Sequence, residues 1–130
     1  MFNEQKSTRI PKEFTLFGHK YTIVFRDDLL EKEKCYGSFD EDLKILELQR
    51  IGMAKKVSEV DGVKTLVDVM VTKETFIETF FHEMVHAMLE SSGEDELSEN
   101  ERFVNMMGKC LLEIYLSSVY EKDSGQEKDA

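Results

Sequence analysis

The chain of 130 residues has no tryptophan, one proline and only two cysteines, Cys35 and Cys110. Small secreted domains depend on several disulfides, so this count excludes a disulfide framework, and we expect reduced, partly buried thiols. The scarcity of proline and the 41% of hydrophobic residues exclude a disordered chain. A chain of this length and composition predicts one compact domain, which we place at residues 1–120.

Positive charge is also scarce, because 17 lysines and arginines stand against 27 aspartates and glutamates, for a formal net charge of −10. Such a surface repels phosphate backbones and anionic lipids, so we expect neither nucleic acid nor a membrane as a partner. The carboxylates are interspersed with lysines, which disfavours DNA mimicry. No apolar run approaches the roughly 18 residues of a membrane-spanning helix, and residues 1–12 lack the apolar core of a signal peptide. We therefore expect a cytoplasmic protein.

Two turn signals in the first third of the chain predict a small sheet. The segment 14–25 is rich in aromatic and β-branched residues around Gly18 and His19, which predicts a hairpin of two strands. Residues 36–39 and 44–48 flank an acidic turn and predict a second hairpin. The expected fold is therefore α+β, with an antiparallel sheet of three or four strands. Residues 27–34 remain open between a turn of helix and a loop, and residues 50–70 between a loop with a short strand and a long lead into the next helix.

Hydrophobic periodicity predicts a long helix in the second half of the chain. Apolar residues between Phe76 and Leu89 recur at steps of three and four, which predicts a helix from about Thr72 to Ser92. Gly93 follows, and glycine readily adopts the left-handed conformation that ends a helix.

A second helix is predicted from near Ser98 toward Tyr120. Gly108 within it would let a neighbouring helix approach closely. The charged residues 121–130 are predicted to form a flexible acidic tail. The apolar stripe expected to be buried on this helix consists of Phe103, Met106, Met107, Cys110, Leu111 and Ile114.

The first predicted helix contains the sequence His82-Glu83-Met84-Val85-His86. Histidines four residues apart lie on one helical face, so both imidazoles can reach one zinc ion while the glutamate between them stands beside it. At about 100° per residue, both histidines fall at the edge of the apolar stripe, as expected for ligands on a cleft wall. The motif thus predicts His82 and His86 as zinc ligands in a metal-dependent hydrolase.

A His-Glu-x-x-His helix after a small sheet resembles the zincin metallopeptidases, in the gluzincin-like form whose third ligand is a glutamate. The layout of residues 21–115 is similar to that of the small predicted metallopeptidases of bacteriophages and prophages, with the specific match at residues 76–107. The resemblance implies zinc bound by both histidines and by an acidic residue of the next helix, and a protein or peptide as substrate. It also implies that a sheet edge lines the cleft and pairs with an extended peptide. Residues 44–48 are the candidate for this edge, and the alternative is that they form an ordinary strand within the sheet.

The third ligand implied by this resemblance is a carboxylate, because no histidine follows His86 and the remaining histidine lies in a predicted turn. We expect Glu101, with Glu99 as the alternative and Asp95 as the remaining candidate. Ser98-x-x-Glu101 is also a capping box, in which Glu101 would bond the helix terminus instead of a metal.

The expected chemistry follows from the charges at such a site. Two neutral imidazoles and one carboxylate leave a fourth zinc position for water, whose pKa falls toward ~7. Glu83 would take the proton of this water and pass it to the leaving amine, so Glu83 is the expected catalytic residue. Tyr36, Tyr115 and Tyr120 are considered as a second oxyanion donor, although packing is the more common role of such tyrosines.

The sequence therefore predicts a zinc-dependent metallopeptidase that hydrolyses peptide bonds. The alternative from another class is a non-catalytic acidic binding or regulatory protein whose metal site is structural or vestigial. The oligomeric state remains open.

Overall fold

Four short strands form the sheet that carries the main core. The computed structural model describes residues 10–118, and within them the fold is α+β, as predicted. The strands are β1 (Glu13–Leu16), β2 (His19–Arg26), β3 (Gly37–Asp40) and β4 (Ile45–Gln49). Their order in the sheet is β1-β2-β4-β3. Both predicted hairpins, β1-β2 and β3-β4, are confirmed as antiparallel pairs.

The prediction of a purely antiparallel sheet is wrong, because β2 and β4 pair in parallel. A short helix α1 (Leu29–Glu33) and strand β3 lie between β2 and β4 in sequence. This long connection brings the chain back along the sheet before β4 begins, so β4 runs in the same direction as β2. The register places Ile23 opposite Leu46 and thereby aligns apolar residues of both strands. The assignment of residues 44–48 to a sheet edge is also wrong, since β4 lies between β2 and β3.

A separate two-stranded sheet follows, made of β5 (Gly52–Val60) and β6 (Val63–Val71). Asp61 and Gly62 connect the strands with φ values of 52° and 80°. Two residues with positive φ form the type I′ turn that matches the twist of a hairpin. This hairpin occupies the segment that the sequence left open, although Asp-Gly between β-branched residues is its usual signal.

The predicted first helix is confirmed as α2 (Lys73–Ser91). The Thr72 side chain accepts a hydrogen bond from the Thr75 backbone N–H and so caps the helix. Its buried face packs against β3 and β4. The main core consists of Ile10, Tyr21, Ile23, Leu46, Leu48, Phe76, Ile77, Phe80 and Ala87.

The predicted second helix is confirmed as α4 (Glu101–Ser117), and a separate short helix, α3 (Asp95–Glu99), precedes it. The break lies at Asn100, whose side chain accepts a hydrogen bond of 3.1 Å from the Phe103 backbone N–H and caps α4. Tyr120 and the predicted tail at residues 121–130 lie outside the described residues.

The face of α4 that contacts α2 also differs from the prediction. Val104 and Gly108 are buried, whereas Met106, Cys110 and Ile114 of the expected stripe are exposed. A Cβ atom at Gly108 would lie 3.3 Å from the His82 Cα, so α4 turns its glycine toward α2 and the helices approach closely there. This close approach, as predicted, brings the start of α4 to the motif of α2.

None of the helices within residues 10–118 combines the length and the apolar character needed to cross a bilayer.

Candidate metal centre

The helix α2 places the two motif histidines side by side, one turn apart. Both are half-buried, and their ring centroids are 5.1 Å apart. They project from the border between the core-facing and the exposed side of the helix, because Val85 and Ala87 nearby are buried while Met88 is exposed. The two rings therefore line a cleft, while the opposite side of the same helix is packed in the core.

Glu101, the first residue of α4, lies against both rings. Its Oε1 is 3.3 Å from the His82 Nε2, and its Oε2 is 3.3 Å from the His86 Nε2. In all, one ligand atom from each of the three residues lies within 4.8 Å of the others. Ligand atoms around a tetrahedral zinc ion, each about 2.0–2.1 Å from the metal, lie roughly 3.3 Å from one another. The group could therefore hold a metal ion.

The orientation of His86 is set by two partly buried hydrogen bonds in series. Its Nδ1 is 2.9 Å from the Ser98 Oγ, and this hydroxyl donates to the Glu90 Oε2, also at 2.9 Å. Since the single hydroxyl proton is directed at Glu90, the serine oxygen is free to accept a hydrogen bond from an Nδ1–H group. In that tautomer the proton is on Nδ1, and the Nε2 lone pair faces Glu101. A metal-binding histidine needs this arrangement.

Glu90 also influences Glu41, which lies in the loop between β3 and β4. A hydrogen bond with Glu90 raises the pKa of the Glu41 carboxyl, since the proton shared by the two groups stabilises the protonated form.

Burial controls the protonation of the site. Burial lowers the pKa of His86 and outweighs the opposite effect of Glu101, so this imidazole is held neutral, as a ligand requires. Burial first, and then the charge of Glu101, raises the pKa of Glu83 to about 7. Glu83 is only 7% exposed, which makes it the one buried acidic residue among the described part of the chain. Its carboxyl group is suited to exchanging a proton near neutral pH.

The three-residue group opens into a cleft of about 590 Å³ between α2, the start of α4 and the edge strand β3. Gly37, Ser38 and Phe39 form the β3 wall, and Glu83 lines the same cleft. β3 lies unusually close to α2, because a Cβ atom at Gly37 would collide with the Thr79 Cγ2 and would lie 3.3 Å from the Glu83 Cγ. The strand edge that faces the site is therefore β3, in place of residues 44–48.

The alternatives for the third ligand fall outside the group. Glu99 lines the cleft but does not belong to the converging ligand atoms, and Asp95 is exposed at the start of α3. The capping-box interpretation of Glu101 is wrong, because Asn100 caps α4 while the Ser98 hydroxyl bonds His86 and Glu90. The carboxylate of Glu101 is thus left directed at the histidines.

Tyr36, Tyr115 and His19 lie in three different parts of the structure. Tyr36 lies beside Glu83 in a smaller cavity next to the cleft, whereas Tyr115 packs edge-on against Phe81. His19 begins β2 and is exposed.

Sequence reasoning missed the roles of Ser98 and Glu90. Ser98 was interpreted as a helix cap, and no motif marks Glu90. Their contacts depend on where α3 lies relative to α2, and no local pattern encodes that placement.

A scan against protein-family models, a search of curated proteins and a search of solved structures each found no match to this chain. We therefore infer the chemistry of the site from its own residues and their geometry.

Proposed function

We propose that this protein is a zinc-dependent metallopeptidase with His82, His86 and Glu101 as metal ligands and Glu83 as the catalytic residue. The observation that carries the proposal is the convergence of both Nε2 atoms on one carboxylate at 3.3 Å each. Two imidazoles and one carboxylate are a common ligand set of catalytic zinc, which keeps a further position for water or substrate. The site also opens to a cleft, whereas structural zinc sites are closed by four protein ligands.

When bound, zinc would act as a Lewis acid that activates water and polarises a peptide carbonyl. The Glu83 carboxylate would accept the proton of the attacking water and deliver it to the leaving nitrogen. Its pKa of about 7 in the metal-free protein shows that burial already favours a protonated carboxyl, so the group can hold the transferred proton. Ser98 and Glu90 would keep His86 in the tautomer that presents Nε2 to the cleft.

The substrate we propose is a peptide in extended conformation. β3 is an edge strand and forms one wall of the cleft, so its outer backbone groups can pair with such a chain. Gly37 keeps this strand close to Glu83, which would bring a bound peptide bond near the reacting groups. A bacteriophage or prophage origin belongs to the same proposal and rests on the sequence resemblance.

The decisive experiment separates metal binding from catalysis. Protein prepared without metal and reloaded with zinc should bind about one ion per chain. It should cleave an unfolded casein, and a chelator should abolish cleavage reversibly. Glu83→Gln should retain zinc and lose activity by about 10²–10⁴-fold, because the proton acceptor is gone while the ligands remain.

The matched pair Glu101→Gln and Glu99→Gln tests the third ligand. Both residues line the cleft, yet only Glu101 contacts the histidines. We expect Glu101→Gln to lose zinc and Glu99→Gln to keep both zinc and activity. The reverse pattern would refute the ligand assignment. One zinc per chain without cleavage of any unfolded substrate would favour the binding or regulatory protein instead.

A further inference from the structure

The outer edge of β6, called here the β6 edge and comprising Val63–Val71, pairs with no strand of the described chain. Seven of its nine residues are exposed, including Leu66 at 53% and Met70 at 58%. Only the end of the strand is covered, since Val69 and Val71 pack with Leu30 of α1. An isolated two-stranded sheet of this length with exposed apolar residues is marginally stable in water, so additional strands would stabilise it.

Backbone geometry decides which residues of the β6 edge can bond a further strand. The two-residue turn makes Val60 and Val63 a hydrogen-bonded pair, and such pairs alternate along an antiparallel hairpin. The odd-numbered residues of β6 therefore bond β5. The even-numbered residues direct their N–H and C=O groups outward, among them Lys64, Leu66 and Asp68.

The outward residues are self-complementary about Leu66. If a second β6 strand runs antiparallel with Leu66 opposite Leu66, then Lys64 of each copy lies opposite Asp68 of the other. Within the hairpin, Lys64 already lies opposite Glu59, and Asp68 lies opposite Lys55 with an ion pair of 2.5 Å. Each row across the four strands then alternates in sign, from Glu59 through Lys64 to Asp68 and Lys55 of the second copy. Opposite charges in such cross-strand positions stabilise a sheet.

We propose that two copies of this chain associate through the β6 edge, in the antiparallel register centred on Leu66, to form a continuous four-stranded sheet. The central row of this sheet is apolar, because Val57 lies opposite Leu66 in each hairpin. The charge of the hairpin also favours association here. Its three lysines balance its three acidic residues, whereas the whole chain carries a net charge of −10 and repels itself elsewhere.

Neighbouring registers lack this complementarity. A shift of two residues places Lys64 or Asp68 opposite the apolar Leu66. A shift of four, which centres the pair on Lys64 or on Asp68, places two like charges directly opposite each other, which is unfavourable. Lysine on an exposed edge commonly prevents strand pairing because it meets another lysine or an apolar surface. In the register proposed, each lysine meets an aspartate, so the same residues select one partner and one alignment.

The first test compares Leu66→Lys with Val60→Lys by sedimentation velocity up to a few hundred micromolar. Both residues are exposed apolar positions of the hairpin, at 53% and 66%, but only Leu66 lies on the β6 edge. We expect a concentration-dependent dimer for the unmodified chain. Leu66→Lys should raise the dissociation constant at least about tenfold, because two lysines meet at the axis. Val60→Lys should leave the dissociation constant unchanged within about twofold.

The second test reverses the charge rows and keeps the hairpin intact. The variant Lys55→Asp, Glu59→Lys, Lys64→Glu, Asp68→Lys preserves opposite charges within the hairpin and between two copies of itself. It should dimerise like the unmodified chain. Mixed dimers would place like charges opposite each other at both ends, so native mass spectrometry of the variant mixed with isotope-labelled unmodified chain should show each homodimer and few mixed dimers.

Three outcomes would overturn the proposal. The chain could remain monomeric over the whole concentration range, or Leu66→Lys could weaken the dimer no more than Val60→Lys. Statistical mixing of the charge-reversed and unmodified chains would exclude the register centred on Leu66. None of these outcomes bears on zinc binding or cleavage, so the test is independent of the proposed enzyme function.

Discussion

The two sheets of this chain contain equally apolar strands but differ in what covers them. In the four-stranded sheet, α2 covers β4, and Leu46 and Leu48 are 0% exposed. In the β5-β6 hairpin, Leu66 and Met70 are 53% and 58% exposed, so little of the described part of the chain covers them. The hydrophobicity of a strand therefore does not by itself determine its burial. The helix that covers the first sheet also carries the candidate site.

The largest expected difference between the two sheets is the cost of truncating a leucine. Leu46→Ala should lower the free energy of unfolding by about 2–5 kcal/mol, because it removes buried methyl groups and leaves a cavity beneath α2. Leu66→Ala should cost less than about 0.5 kcal/mol in the monomer, since its side chain is already exposed. Urea unfolding at low protein concentration measures both. Equal costs would contradict the comparison.

The contact between β3 and α2 predicts the next largest effect. Gly37→Ala should cost about 2–3 kcal/mol, because its Cβ would collide with the Thr79 Cγ2 and crowd the Glu47 carbonyl oxygen at 3.2 Å. Thr79→Ser removes that methyl group and retains the hydroxyl that donates to the Thr75 carbonyl. Combined with Gly37→Ala, it should restore part of the lost stability in urea unfolding. If the double variant is no more stable than Gly37→Ala alone, the contact with the Thr79 methyl group is not the cause of the lost stability.

Burial of Glu83 predicts a pH dependence of stability in the metal-free protein. Its pKa is about 7 in the folded protein against 4.5 ordinarily, so its contribution is fully present below pH 4.5 and is lost as the pH rises through 7. In Glu83→Gln the side chain does not titrate, so the variant does not lose this stability as the pH rises. Relative to the unmodified chain, the variant should gain about 2 kcal/mol between about pH 5.5 and about pH 8.5.

The measurement is urea unfolding with a chelator present at both pH values. The control is Glu99→Gln, which changes an exposed carboxylate of the same cleft and should show no comparable gain. A gain of equal size in both variants would indicate a general charge effect instead of the burial of Glu83.

The smallest predicted effect concerns the hydrogen bond between Ser98 and His86, which orients the imidazole ring. Ser98→Ala removes the acceptor of the Nδ1 proton and should weaken zinc binding about tenfold, or roughly 1.4 kcal/mol. Ser92→Ala changes an exposed serine at the end of α2 and should leave the affinity unchanged. Competition with a fluorescent zinc chelator measures both affinities. Unchanged affinity in Ser98→Ala would show that the rings need no such support.

Local patterns were sufficient for α2 and for the first two hairpins. The periodicity of Phe76, Ile77 and Phe80 and the glycine turn before His19 depend on neighbours a few residues away. The Asp61-Gly62 turn was equally readable and marks the third hairpin. The buried face of α4 was mispredicted because its buried residues are Val104 and Gly108, and Gly108, which has no hydrophobic side chain, lies against the backbone of His82 in α2.

By itself, the amino-acid sequence determined the α+β class, the helix that carries His82 and His86, and the position of Glu83 between them, because helical spacing is a property of the local chain. Only the tertiary structure brought Glu101, and not Glu99, to the two histidines, paired β2 with β4 in parallel, and brought Ser98 to His86. Each of these depends on the packing of elements distant in sequence. Packing of that kind is set by the fit of whole surfaces, which no short run of residues contains.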